Sequence, residues 1–365
     1  MSDAPATDRG TGRVPRVRLD ARELELARLP DGGVVVKRGV REVLLRDPEA
    51  GALLEELAEM LDGTRSTEAI LDAIAPERRQ QAISVLTLLL ERRLLPEADS
   101  ADTAEARFWS TFGAHGAEGP ERLRTARVTV LGGDQIARGL VAQLLASGVG
   151  AIDVALVPGL IAGEGADEWL RGLVRDRELD GRVRRIDAAD ALGSIAESAL
   201  LCATSDAGLT GAMREANQQA LAAGVPFLPA WVAELVGYVG PLTEPFDTAC
   251  LHCYQLRAES NSGRRAESDR ALRELRERNP TLRDVSGLLP PMAVAVSAVA
   301  AMEAIKRISR LAPADTAGRL IEINLISFAS QVRRVLKLPR CPDCSDVMRQ
   351  PAVALASGPQ VPGRG

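Results

Sequence analysis

Two short cysteine pairs, Cys250-Leu-His-Cys253 and Cys341-Pro-Asp-Cys344, stand 87 residues apart in a chain of 365. A C-x-x-C spacing lets two thiolates of one turn reach one ion, and four thiolates suit tetrahedral zinc. Any fold this chain adopts must then bring its C-terminal run back against the segment near residue 250. No titratable ligand is left over to hold an open coordination position, which points to a structural clip rather than a catalytic metal. The rival reading is unmetallated or redox-active thiols. Leu251-His252 and Pro342-Asp343 read as loops without the helix start that lowers a thiol pKa, which weighs against it. His252 reads as a solvated neighbour of the pair. The fifth cysteine, Cys202, lies in Ala199-Leu-Leu-Cys-Ala203 and reads as part of a buried strand.

Five cysteines are too few for a disulfide scaffold, so the pattern fits a reducing cytoplasm. Met1 to Pro15 is polar, with no secretory core. The longest apolar stretch, about Gly287 to Ile305, is mostly Ala and Val and contains Pro290, Pro291 and Ser297. It reads as a buried helix and not a membrane span. Apolar residues make up 46% and charged residues 26%, the balance of a folded chain. A net charge of -5 argues against a nucleic-acid backbone as the main partner. The 45 basic residues include only three lysines, Lys37, Lys306 and Lys337.

Residues 1–13 and 351–365 read as loose tails. Residues 14–97 form a first unit. Val14–Leu19, Leu24–Ala27, Gly33–Lys37 and Glu42–Leu45 have strand patterns. Asp47-Pro48 starts a helix through Leu53, Leu54, Leu57, Met60 and Leu61, which Asp62-Gly63 stops. Ser66 starts a second through Ile70, Leu71 and Ile74. A third runs from about Glu77 to near Arg93 and carries Ile83, Leu86, Leu89 and Leu90. Strands and three short helices give a winged-helix outline. A connector, 98–126, holds Phe108, Trp109 and Phe112. Residues 127–350 then alternate. Strand Val128–Leu131, Gly132-Gly133, a helix through Leu140 and Leu145, and strand Ile152–Val157 form a βαβ unit. Strand Ala199–Thr204, helix Thr210–Ala223, strand Val225–Pro229, helix Pro291–Arg310 and a β-rich run Arg319–Leu338 follow. The expectation is an α/β protein built on a mostly parallel, Rossmann-like sheet.

Four segments of this region, in order and spacing, resemble the ThiF/MoeB ubiquitin-activating-like superfamily. They are Gly119-Pro-Glu-Arg-Leu-Arg-Thr-Ala-Arg-Val-Thr-Val-Leu-Gly-Gly133, Thr248-Ala-Cys-Leu-His-Cys253, Leu288–Lys306 and Lys337-Leu-Pro-Arg-Cys-Pro-Asp-Cys344. The first unit, through Val43–Pro48 and Leu61-Asp-Gly-Thr-Arg-Ser-Thr-Glu-Ala-Ile70, resembles a PqqD-like winged helix-turn-helix that grips leader peptides. Joined, the two resemble the ocin-ThiF-like partner of YcaO-type cyclodehydratases. The resemblance implies a zinc-clipped homodimer that binds the leader of a ribosomal precursor peptide and presents its core to an ATP-dependent YcaO enzyme for azoline formation, as in bacteriocin or thiopeptide maturation. In such a partner the leader adds as a strand to the small sheet and packs on the third helix. That implicates Val34, Val35, Val36, Arg38, Arg41, Val43, Leu45, Arg79, Ile83, Leu86 and Leu90. Arg78, Arg92 and Arg93 are further cations for an acidic leader, although a solvated rim explains any one of them.

An active member needs a glycine-rich phosphate turn, a ribose acid, an Arg, a Lys and a metal-binding Asp. Here Gly132 and Gly133 are followed by Asp134, whose charge opposes a phosphate. Leu156, Val157 and Pro158 stand where the ribose acid belongs, and Asp153 comes too early. No lysine occurs between Lys37 and Lys306. Asp206 matches the metal-binding position, while Arg214 lies off register. With only His115 and His252 available, a histidine-dependent nucleophile system has little to draw on. The expectation is a degenerate scaffold that binds neither ATP nor Mg²⁺ and is catalytically silent alone. The alternatives are an adenylyltransferase acting on a peptide carboxylate with ATP and Mg²⁺, and a sulfur-transfer or ubiquitin-like pathway component, which needs a catalytic cysteine outside the four ligands and has only Cys202 available. The charged stretch Arg257–Arg283, helical from Glu267 to Arg278, reads as a solvated helix or a contact to the partner enzyme.

Overall fold

A computed structural model describes residues 17–92, 94–95, 103–110, 112, 114–157, 160, 165–179, 181–187, 191–261, 263–278 and 288–345. The expected tails, Arg93, Pro158 and residues 279–283 of the charged stretch lie outside these. The chain falls into two compact units, Met1–Ala117 and Glu118–Gly365.

In the first unit, β2 (Glu25–Arg28), β3 (Val34–Arg38) and β4 (Arg41–Leu45) form an antiparallel sheet in the order β2-β3-β4. The preceding β1 (Arg18–Asp20) pairs instead with β5 (Asp62–Ser66), across a bulge. Asp62-Gly63 therefore ends the first helix and also begins a strand. Helix α1 (Pro48–Met60) starts on Asp47, whose carboxylate accepts from Glu49 N, with proline in the first turn. Helix α2 (Thr67–Ala73) starts on Ser66, and α3 (Arg79–Glu91) follows a 3₁₀ turn at Pro76–Arg78. Leu19, Val34, Val36, Leu45, Leu53, Leu57, Ile70, Leu86 and Leu89 share one buried core. Gly51 lets α1 lie against the sheet, because a Cβ there would sit 2.6 Å from a Val34 methyl. Helices α4 (Ala104–Ser110) and α5 (Ala114–Thr125) follow, where the sequence indicated only a connector.

The second unit holds an eight-stranded sheet in the order β13-β12-β11-β10-β9-β6-β7-β8. Strands β6 (Arg127–Leu131), β7 (Ala151–Ala155), β8 (Val183–Ile186), β9 (Leu200–Ser205) and β10 (Phe227–Ala233) run parallel. Strands β11 (Val236–Val239), β12 (Arg319–Asn324) and β13 (Ser330–Arg334) extend it antiparallel. The helices are α6 (Gln135–Ala146), α7 (Ala166–Arg175), α8 (Ala191–Ala196), α9 (Gly211–Ala223), α10 (Leu251–Asn261), α11 (Arg264–Arg278) and α12 (Pro290–Ser309). Strand β6 continues to β7 on one side and pairs with β9 on the other, so the switch point opens a crevice at their carboxyl ends. The mostly parallel α/β architecture expected from the sequence is present. No helix among the described residues is long and apolar enough to cross a membrane.

Candidate metal centre and strand-end crevice

The four paired cysteines converge. Sγ–Sγ distances are 3.9 Å for Cys250–Cys253, 3.7 Å for Cys250–Cys341 and 3.5 Å for Cys253–Cys344. All four sulfurs lie within 4.8 Å of one another and all four residues are buried. A tetrahedron with metal–sulfur bonds of about 2.3 Å has sulfur–sulfur edges of roughly 3.8 Å. The donor set thus fits a zinc-sized, thiophilic ion. Bound there, zinc would neutralise the thiolates and tie the C-terminal run to α10.

Two features of this centre differ from the sequence reading. Leu251 and His252 are not in a loop but open α10, which places Cys250 and Cys253 at a helix N-terminus. The positive end of the helix dipole favours thiolate there, as a metal ligand requires. The sequence signal was obscured because Thr248-Ala-Cys lacks a strong cap. His252, expected to be solvated, is buried, with Nδ1 3.1 Å from Asp343 Oδ2. Asp343 also accepts from Gln218 Nε2 at 2.9 Å, and Arg214 Nε lies 3.6 Å away. The second cysteine loop is therefore pinned by α9 and α10 through the residue between its cysteines. Leu338 N, 3.4 Å from Cys253 Sγ, adds a backbone donor to the sulfur set. Arg214, off register for a nucleotide, serves this loop.

At the crevice, Gly132 sits at φ +139°, and a Cβ there would come within 2.6 Å of Thr204 Oγ1. A Cβ on Gly133 would meet Leu156 Cδ2 at 2.7 Å and Ala166 Cβ at 3.0 Å. The space above the second glycine is filled by the chain's own apolar groups. Asp134 caps α6. Its Oδ1 accepts from Ala137 N at 2.6 Å and from Thr204 Oγ1 at 3.0 Å, while the buried Oδ2 has no hydrogen-bond partner. Burial pushes this carboxyl up to about 7, and the charge of Asp206 adds to the rise, against the bonds from Ala137 and Thr204. Asp206 follows β9 and is half-buried. Asp153 faces Arg127 at 3.1 Å, Arg184 at 2.8 Å and Ser194 at 2.9 Å. Burial alone would raise Asp153, but Arg184, Ser194 and Arg127 outweigh it and hold the carboxyl below the ordinary range. Asp153 is thus a structural anchor. Arg138, which the sequence reading did not single out, donates to Gly133 O at 3.2 Å and stacks on Trp169. Cys202 is fully buried in β9, and burial pushes its thiol up to about 12, unsuited to sulfur transfer.

In the first unit, Val34, Val36, Leu45 and Leu86 are core residues. Val35, Val43, Ile83 and Leu90 are partly exposed. Strand β3 is central, hydrogen-bonded to both neighbours, so Val34–Arg38 cannot accept an added strand. Among the described residues, β2 and β4 are the outer strands of this sheet. Arg38 pairs with Glu23 at 3.1 Å, Arg78 with Glu56 at 2.7 Å, and Arg79 donates to the Asp72 carbonyl at 3.1 Å. Arg41 is half-buried and Arg92 exposed.

A mostly parallel sheet with a topological switch point and a buried four-cysteine centre defines an α/β protein of the doubly wound class. The ThiF family signature matches residues 163–345, and the chain belongs to that family. No curated protein matches the sequence. Among solved structures, the microcin C7 biosynthetic enzyme MccB in complex with N-formylated MccA is 17% identical with a TM-score of 0.64, over 90% of this chain and 99% of that one. E. coli MccB with ATP is 16% identical with a TM-score of 0.60, over 90% and 99%. The heterocyclase TruD is 21% identical with a TM-score of 0.60, over 91% of this chain but 43% of TruD. At these identities the likeness is one of fold.

Proposed function

We propose that this protein binds the leader of a ribosomally made precursor peptide and presents its core to a separate YcaO-type cyclodehydratase, without adenylating the peptide itself. The observation that carries the non-adenylating part is the crevice. Leu156 and Ala166 cover Gly133, Asp134 takes the Ala137 N–H in the first turn of α6, and no lysine lies between Lys37 and Lys306. Each missing charge-assisted contact to a nucleotide would have been worth about 1–3 kcal/mol. The peptide-binding part is supported by an N-terminal unit in which a three-stranded sheet packs with three helices and, among the described residues, ends in the outer strands β2 and β4. The fold is shared along nearly the full length of MccB, whose structure contains the peptide MccA, and with the heterocyclase TruD. On this reading the leader lies along β4, beside Arg41, Val43 and the exposed side of α3, and the ThiF-like body is a zinc-clipped cytoplasmic homodimer. The four-cysteine centre is its structural cofactor site.

The test uses the full-length protein with a fluorescently labelled precursor encoded beside its gene, read by polarisation, and calorimetry with ATP·Mg²⁺. Saturable peptide binding with no heat from nucleotide is expected. Asp206 at the end of β9 favours the second reading, an adenylyltransferase. Micromolar ATP binding without peptide binding would establish that one instead.

A further inference from the structure

Strand β13 is the outer strand of the eight-stranded sheet, and all five of its residues are exposed. The register shows which of its peptide groups are engaged. Asn324 N donates to Ala329 O and Val335 N to Gly318 O. In an antiparallel ladder the inward-facing residues alternate, so Gln331 and Arg333 turn their N–H and C=O toward β12. Ser330, Val332 and Arg334 turn theirs outward. Among the described residues nothing pairs with this outward row, and a row of unmatched peptide groups accepts another strand.

Charge narrows the identity of that strand. From Ala329 to Arg340 the chain carries Arg333, Arg334, Lys337 and Arg340 and no acidic residue, in a protein of net charge -5. Arg333 is matched by Glu322 at 2.7 Å, and Lys337 Nζ donates to the Phe246 carbonyl. Arg334 and Arg340 are exposed, without a partner among the described residues. A second copy of β13 would set the same positive charges against themselves, so self-pairing is disfavoured. The strand is also short. Five residues span about 17 Å, too little for the ~800 Å² per side of a folded-domain interface but enough for an extended peptide.

We infer that β13 is a strand-addition site for an extended, acidic segment of the precursor peptide, separate from leader docking at β4. The inference rests on the peptide-binding reading above. Peptide N–H and C=O groups pair with those of Ser330, Val332 and Arg334, and its carboxylates meet Arg334 and Arg340.

The test needs variants that close the edge without disturbing the ladder. Val332→Pro removes one outward N–H and keeps every bond to β12, a position where edge strands tolerate proline. Arg334→Glu reverses an exposed charge, and Val332→Ala keeps the N–H as a control. The probe is a fluorescein-labelled seven-residue peptide of alternating Val and Glu, read by polarisation on the full-length protein. Wild type and Val332→Ala are expected to bind. Val332→Pro and Arg334→Glu should each weaken binding at least tenfold, with hydrogen exchange slowed at Ser330, Val332 and Arg334 only in the binders. No binding by wild type, equal binding by all four proteins, or protection confined to Arg41–Leu45 would overturn the site. Should Val332→Pro lose its native circular dichroism, Arg334→Glu decides alone. If the labelled precursor binds wild type and Arg334→Glu equally, this site fails and the leader reading stands. If wild type binds the acidic probe but not the precursor, the leader reading is what fails.

Discussion

Asp134 is the residue on which the character of the crevice turns, and its chemistry has a measurable consequence. An aspartate is among the best helix caps, and here it satisfies Ala137 N as a cap should. It does so fully buried, with one oxygen unpartnered and a second acid close by. Its pKa in the folded chain is about 7 against 3.8 for an ordinary aspartate. For a folded pKa above the unfolded one, the associated stability is fully present below the unfolded value and is lost as pH rises through the folded value. Asn caps as well as Asp but does not ionise. The Tm of Asp134→Asn relative to wild type should therefore rise between pH 5 and pH 7 and level off by pH 8. The gain amounts to about 2 kcal/mol across that window. A Tm difference that stays flat with pH in differential scanning calorimetry would show that the carboxyl is ionised throughout.

Between elements, helices α6 and α12 of the second unit cross at close range. A Cβ on Gly139 would lie 2.9 Å from Ser297 Cβ and closer still to its hydroxyl, and Gln143 Nε2 bridges Gly139 O and Ser297 Oγ at 3.1 and 2.9 Å. Alanine is the better helix former by about 1 kcal/mol, yet overpacking here costs about 1–3 kcal/mol. Gly139→Ala should thus lower Tm by a few degrees, and Gly139→Ala combined with Ser297→Gly should recover more than the two single changes predict. Strict additivity in that cycle would mean the helices separate freely. Elements of this kind were legible in the sequence to different degrees. The Asp47-Pro48 and Ser66 starts, the βαβ unit and the Ala-rich helix were readable because caps and periodicity are local. Strand β5 was not, since Asp62-Gly-Thr-Arg-Ser66 has no β-forming run and its strand state comes from pairing with β1. The central place of β3 was equally hidden, because strand order is a property of the sheet and not of any strand.

Across the whole molecule, the four cysteines were the most legible part of the site, since their spacing alone requires that residues far apart in sequence meet. What the sequence did not reveal is how the meeting is held. His252 and Asp343, each inside one of the pairs, approach within 3.1 Å, and α9 supplies Gln218, a contact no local pattern encodes. A clip closing a loop of 87 intervening residues removes chain entropy worth about 4–5 kcal/mol, by analogy with a cross-link of that length. Zinc adds its own binding free energy, because the site does not exist in the unfolded chain. Cys341→Ser leaves three thiolates. The expected outcome is a fall in zinc content from about one per chain to nearly none by mass spectrometry. At 2–4 °C per kcal/mol, Tm should fall by about 10 °C or more. A chelator should reproduce the loss in wild type, with hydrogen exchange rising first in residues 335–345 and the start of α10. His252→Ala, which removes the link to Asp343 but no sulfur, should keep the zinc while speeding its removal by chelator. Protein purified without metal that melts at the same temperature as Cys341→Ser, and does not respond to added zinc, would show that packing of the thiols alone holds the clip.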